Sequence, residues 1–566
     1  MTSKPVNQGS ELPLTQASLL PTQEESDSSS PISQGPDADS VGLTIAEASR
    51  RMAEGELTSE TLTRQYLERI AAIDAGGPML KSVLELNPDA LAIAAERDVE
   101  RAAGTVRGPL HGVPVLVKDN IDTADTMHTT AGSLALMGSV PAQDATVVAR
   151  LREAGAVILG KANLSEWANM RGFQSSSGWS GRGGSTKNPH CLVRNPSGSS
   201  SGSAAAVAAD LATIALGTET NGSIISPASA CGVVGFKPTV GLTSRAGVVP
   251  ISHTQDSVGV MAKSVADVAT TLSCLVGVDE RDPATGGNAS LVGTEFLATL
   301  DANALSGARL GVARNMAYTG YSHKADAVFD AALAVLRALG AEIVTDFEIP
   351  SGDEIMERPG AFERMVYEFK RDLNAYLTER GDSEFTTLAD IIAFNSAHAD
   401  EELRYFGQNV MEMSEATSDD DAAEMRALDE RLQRLSRDEG IDAVLREHRL
   451  DALIAPSMPP AMMTDLANGE KFMGAASNLA AIAGYPIITV PAGLAHRMPV
   501  GISFTGTAWS DTSILSLAYA WEQATQMYRT PTFYAGDIVA DPDTPRFELP
   551  VITGDPPGHA ESGAGS

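Results

Sequence analysis

The sequence predicts an α/β fold: a single large domain with a central mixed β-sheet covered by helices, and a helical insertion. Three observations carry this. Strand-like and helix-like stretches alternate from about residue 80 to 300. The run Val115-Leu116-Val117 is apolar on consecutive residues, the pattern of a strand buried on both faces. Strand signals return at 452–455, 487–490 and 501–504, after a charged, helix-rich stretch from about 355 to 450. The C-terminal part, about 451–550, therefore completes the same sheet, and the helical stretch is an insertion over one edge.

In order along the chain, residues 1–40 are rich in Ser, Pro, Gln and Glu and cannot bury enough surface to offset ordering entropy. They are expected to be a disordered tail, as are residues 554–566. The ordered domain is expected over 43–550, with its core at about 80–300. Thr58 is placed to cap a helix carrying Leu62, Tyr66, Ile70 and Ile73 on one face. A strand at 82–86 and a helix at 90–101 follow, then the Val115–Val117 strand, which ends on Lys118. Residues 144–154 read as a capped amphipathic helix, and the strand at 156–159 also runs into a lysine, Lys161.

Composition narrows the function. A net charge of −32 repels nucleic-acid phosphates, so a nucleic-acid partner is disfavoured. No apolar run reaches membrane-spanning length, and the N-terminus has no secretory hydrophobic segment, so the expected location is the cytoplasm. Cys191, Cys231 and Cys274 are odd in number and widely spaced, which fits a reducing compartment. The nine histidines form no metal-ligand spacing, so neither metal nor cofactor is expected. Nothing in the sequence marks an oligomeric state.

The most informative stretch is 197–239, in which two Gly/Ser turns flank an alanine-rich helix and a short apolar strand. A phosphate-binding loop would place lysine after Gly202, where Ser203 stands, and an α/β-hydrolase elbow would need a second glycine, where Ile225 stands. What remains is a serine enzyme whose base comes from elsewhere. Hydrolysing an amide needs a nucleophile, a proton relay and donors for the oxyanion. Lysine can act as base where burial favours its neutral amine. Lys118 has the apolar flanks for this, with Lys161 as its rival.

Gly198-Ser199-Ser200-Ser201-Gly202-Ser203, Gly217-Thr218-Glu219-Thr220-Asn221-Gly222-Ser223-Ile224 and the run from Cys231 to Thr239 resemble the signature of the amidase signature family. Gly112-Val113-Pro114 to Lys118-Asp119-Asn120 matches that family's lysine motif. The resemblance implies the amidase signature fold and a Ser–cisSer–Lys triad of Ser223 as nucleophile, Ser199 as relay on a cis peptide, and Lys118 as base. It implies an oxyanion hole from the N–H groups of Thr220, Asn221, Gly222 and Ser223. Asn221 stands where the family most often has glycine, and asparagine tolerates the left-handed backbone expected there. Ser200, Ser201 and Glu219 are expected to support the turns, Lys237 to end a strand and order the loop, and adjacent His190 and Cys191 to point apart.

Within the family, the run 163–172, the triplet Ser199–Ser201 and Gly178-Trp179-Ser180 are most similar to bacterial peptide amidases. The implied substrate is a small amide or a peptide C-terminal amide. Aryl-amide or carbamate hydrolysis would use the same machinery. The glutaminase subunit of a tRNA-dependent amidotransferase is a further alternative, disfavoured because Ile225 stands where those subunits commonly have arginine.

Overall fold

The computed structural model describes residues 42–315, 319–357, 360–381, 384–539 and 544–553, and the two expected tails lie outside them. The strands are β1 (Val83–Leu86), β2 (Pro114–Lys118), β3 (Val157–Ala162), β4 (Trp179–Ser180), β5 (Gly184–Ser185), β6 (Ile214–Glu219) and β7 (Val234–Lys237). They continue as β8 (Ser257–Ala262), β9 (Arg309–Gly311), β10 (Glu342–Val344), β11 (Ala452–Pro456), β12 (Ile487–Ala495), β13 (Met498–Thr505) and β14 (Phe547–Glu548). Apart from the small β4–β5 hairpin they form one mixed sheet in the order β1-β3-β2-β6-β8-β7-β12-β13-β11-β9-β10, with β14 against β12.

Near the middle, β2 lies parallel to both β3 and β6, while β8, β7, β12 and β13 pair antiparallel. Val115 and Val117 join one apolar cluster and Leu116 the other, so β2 is buried on both faces as its sequence predicts. The C-terminal strands rejoin this sheet, and the stretch between β10 and β11 holds only helices and turns among its described residues. No helix among the described residues is long and apolar enough to cross a membrane.

Small residues let the chain pack tightly behind the site. Every residue of the helix Ser201–Ala208 is buried. A Cβ at Gly202 would run into the backbone of Ser82 and Asn163, so this helix start fits only with glycine. At the N-terminal end, the Thr58 side chain accepts from the Thr61 N–H, and Leu62, Tyr66, Ile70 and Ile73 are buried. The expected cap at Asp144 is corrected. That helix spans Thr146–Glu153 with no side-chain cap. Asp144 instead accepts from the Ala124 N–H at 2.6 Å and pairs with Arg152 at 3.0 Å.

Candidate active site

Lys118 ends β2 with no solvent exposure. Its Nζ lies 2.8 Å from Ser199 Oγ, 2.8 Å from Thr218 Oγ1 and 3.3 Å from the Thr218 carbonyl. Burial drives the amine down from 10.5 to about 7, and the nearby negative charges of Asp256 and Glu219 raise it again only in part. A neutral amine has two N–H donors and one lone pair. Of the three contacts, two can be donations, and the third can run from a hydroxyl to the lone pair.

Ser199 is also fully buried, on a cis peptide after Gly198. Its carbonyl accepts from the Ser165 N–H at 3.0 Å. The next residue ties the two turns together: Ser200 N donates to the Ser223 carbonyl at 3.1 Å. Ser200 Oγ donates to the Thr218 carbonyl and accepts from the Thr218 N–H, while Ser201 Oγ donates to the Ser197 carbonyl. Both serines thus hold the turn. Ser223 alone of the three expected triad residues lines the cleft, with 8% exposure; Lys118 and Ser199 lie behind it. No hydrogen bond joins Ser199 Oγ to Ser223 Oγ among the described residues.

Glu219 Oε2 accepts from the Ile224 and Ile225 N–H groups at 2.7 and 2.9 Å, which folds the second turn back on the end of β6. Thr220 Oγ1 donates to Asp256 at 2.6 Å, and the Thr220 carbonyl accepts from Gln255 at 3.1 Å. Asp256 is buried, which raises its carboxyl to about 6. The expectation that Asn221 takes the left-handed backbone is corrected: Gly222 holds it, at φ +83°. The Asn221 side chain instead donates to Asn478 and accepts from Ser477. The N–H groups of Asn221, Gly222 and Ser223 meet no acceptor among the described residues.

The cleft, about 520 Å³, is walled by residues of 168–177, the two turns, Ile251, Met365 and a loop at 470–478. The wall segment at 168–177 is pinned from behind by Arg171, which has no exposure. Its guanidinium donates to Glu166 at 2.6 Å, to the Glu402 carbonyl and to the Phe406 carbonyl at 3.2 Å, and sits 3.9 Å over the Phe406 ring. Glu402 in turn accepts from the Leu134 N–H at 2.6 Å. Burial raises the Glu166 carboxyl well above its ordinary range, against the pull of Arg171.

The rival groups fall elsewhere. Lys161 is buried but donates to the Ile121 carbonyl and Thr129, and Lys237 donates to the carbonyls of Pro238 and Tyr485. Cys191 Sγ faces the Gly536 carbonyl, while His190 Nε2 faces that of Cys231. Among the described residues, His253, Glu368 and Asp372 bring three ligand-type atoms together, although their spacing suggested nothing. Arg371 already supplies a cation there. Sequence reasoning missed Thr218, Asp256, Glu470 and Asn478. Only Thr218 had a signal, as a hydroxyl at the end of the strand beside Lys118.

A model of the amidase family matches residues 61–515. The chain belongs to the amidase family. This amidase is 44% identical over 502 residues to a probable amidase of Arabidopsis thaliana, covering 87% of this chain and 92% of that one. It is 36% identical over 519 residues to a glutamyl-tRNA(Gln) amidotransferase subunit from Symbiobacterium thermophilum, covering 86% and 97%. Among solved structures it resembles the native peptide amidase from Stenotrophomonas maltophilia at a TM-score of 0.83 and 48% identity, covering 88% of this chain and 99% of that one. The amidase is thus a hydrolase with the amidase signature fold, similar to bacterial peptide amidases.

Proposed function

We propose that this amidase hydrolyses peptide C-terminal amides, or small amides like them, through Ser223, Ser199 and Lys118. The observation that carries the reading is the 2.8 Å contact between a buried lysine amine and the Ser199 hydroxyl, directly behind the cleft that Ser223 lines. Ser223 Oγ bonds to the amide carbon as its proton passes to Ser199 Oγ, and the Ser199 proton passes to Lys118 Nζ. The oxyanion accepts from the N–H groups of the 220–223 turn, where one such donor contributes about 3 kcal/mol. As the C–N bond breaks, the relay runs backwards and protonates the leaving nitrogen, so ammonia or an amine departs. Water then cleaves the acyl-enzyme ester by the same route.

The likeness to a peptide amidase at 48% identity supports a peptide amide over other acyl amides. The machinery would serve aryl amides and carbamates equally. The amidotransferase reading fits less well. Free glutamine carries an α-carboxylate, whereas Glu470 is the only formally charged residue among the described residues of the cleft wall. A mass-spectrometric screen of peptide amides, anilides, carbamates and glutamine tests the proposal. Loss of one ammonia per peptide amide, abolished by Ser223→Ala, is the expected result. Turnover of glutamine alone, or full activity of the variant, would overturn it.

A further inference from the structure

We infer that Glu470 selects substrate by charge: it favours acyl groups carrying a cation, such as the free α-ammonium of a short peptide amide, over neutral ones, and turns carboxylates away. This rests on the hydrolysis proposed above. When the leaving group is ammonia, all of the remaining substrate is acyl group, and that part is what fills the cleft.

Three features hold Glu470 at the wall. Asp465 Oδ1 accepts from the Ala467 and Asn468 N–H groups, both at 2.9 Å, and folds the loop into a turn. Gly469 follows at φ +85°, and a Cβ there would sit 3.0 Å from the Gln174 carbonyl. The Ser177 N–H then donates to Glu470 Oε2 at 2.9 Å.

The charge of this carboxylate is not balanced locally. Among its described residues the cleft wall holds Ser, Thr, Asn, Gly, Ala, Met, Phe and Ile, but no lysine, arginine or histidine. The adjacent Lys471 is exposed to solvent. Burial raises the Glu470 carboxyl, and only hydrogen bonds from the Ser177 side chain and backbone oppose this. A ligand cation supplies the missing partner and is favoured for that reason, whereas a ligand carboxylate adds a second uncompensated negative charge. Hydrolysis itself turns a neutral amide into a carboxylate in this cleft, so the same residue speeds product departure.

The test uses one amidated tripeptide in three forms: free amino terminus, N-acetyl and N-succinyl. In the unmodified enzyme, kcat/KM should fall by about tenfold at each step from ammonium to acetyl to succinyl, the scale of one desolvated charge contact. In Glu470→Gln the three values should converge to within about threefold, the lost preference being part of that same contact. Each ratio is taken within one protein preparation, so a partly unfolded variant does not disturb it. Binding of the three ligands to Ser223→Ala by calorimetry, with and without Glu470→Gln, separates the two readings. No turnover with the same Glu470-dependent ranking of Kd overturns the hydrolysis but keeps the charge selection. A flat ranking, or one that persists in Glu470→Gln, overturns the charge selection whatever the turnover.

Discussion

Lys118 Nζ and Ser199 Oγ lie 2.8 Å apart, and neither residue has any solvent exposure. A proton moving between them meets no bulk water, so in the proposed mechanism the pair would act as a closed relay. Lys118→Met and Ser199→Ala should each lower kcat by about 10²–10⁴-fold, the usual contribution of positioned acid–base groups. Circular dichroism should show the fold retained in both. Full turnover by either variant would rule out the relay.

Ser223 borders the cleft while its two partners do not, so an electrophile entering from solvent should react there and nowhere else. A fluorophosphonate should add once per chain, and peptide mapping should find the adduct on Ser223. Lys118→Met should slow labelling by orders of magnitude. An adduct on Ser199 or Ser200 would reassign the nucleophile.

The pH dependence follows from the amine at about 7. In the proposed mechanism the base would work only when neutral, so kcat/KM should rise through about pH 7 and level off above it. Thr218→Val removes a hydroxyl acceptor that favours the ammonium more than the amine, so it should shift this limb downward. Stability carries the same sign. Between about 7 and 10.5 the unfolded chain holds a proton on this lysine that the folded chain does not, so its share of stability rises with pH. Lys118→Met should remove that slope, as read from the difference in Tm across the window. A limb that stays in place in Thr218→Val would separate the titration from Lys118.

Arg171 joins the cleft wall to the helical stretch through two buried carboxylates and two carbonyls. Arg171→Met leaves Glu166 and Glu402 without their cation and should cost about 3–5 kcal/mol. Urea unfolding would measure it. The double change of Arg171→Met with Glu166→Gln should recover part of the loss, whereas an exposed ion pair would show neither effect.

The legible parts of this molecule were those governed by local pattern. Three consecutive apolar residues located β2, and a lysine at the end of such a run announced an ionisable group in a dry place. The glycine and serine spacing marked both turns. What stayed hidden came from chain segments that meet only after folding. Asp256 reaches Thr220 across 36 positions, and Asn478 reaches Asn221 across 257. Asp144 resembled a cap but is claimed by Ala124 and Arg152, since a tertiary partner outcompeted the local one. Of the helical stretch, only Met365 lines the cleft among the described residues.

Of the proposed triad, Lys118 ends β2 and Ser223 lies in the turn that follows β6, and these two strands are locked side by side by the register of Val117 against Leu216. Glu470, Phe472 and Asn478 hang on the connection between β11 and β12, outside that register. Exchanging the connection for another of different length or charge would leave the reactive centre in place and alter only what it is offered. Catalytic competence and diet can therefore diverge independently in descendants of this chain, and a designer could recast one while inheriting the other.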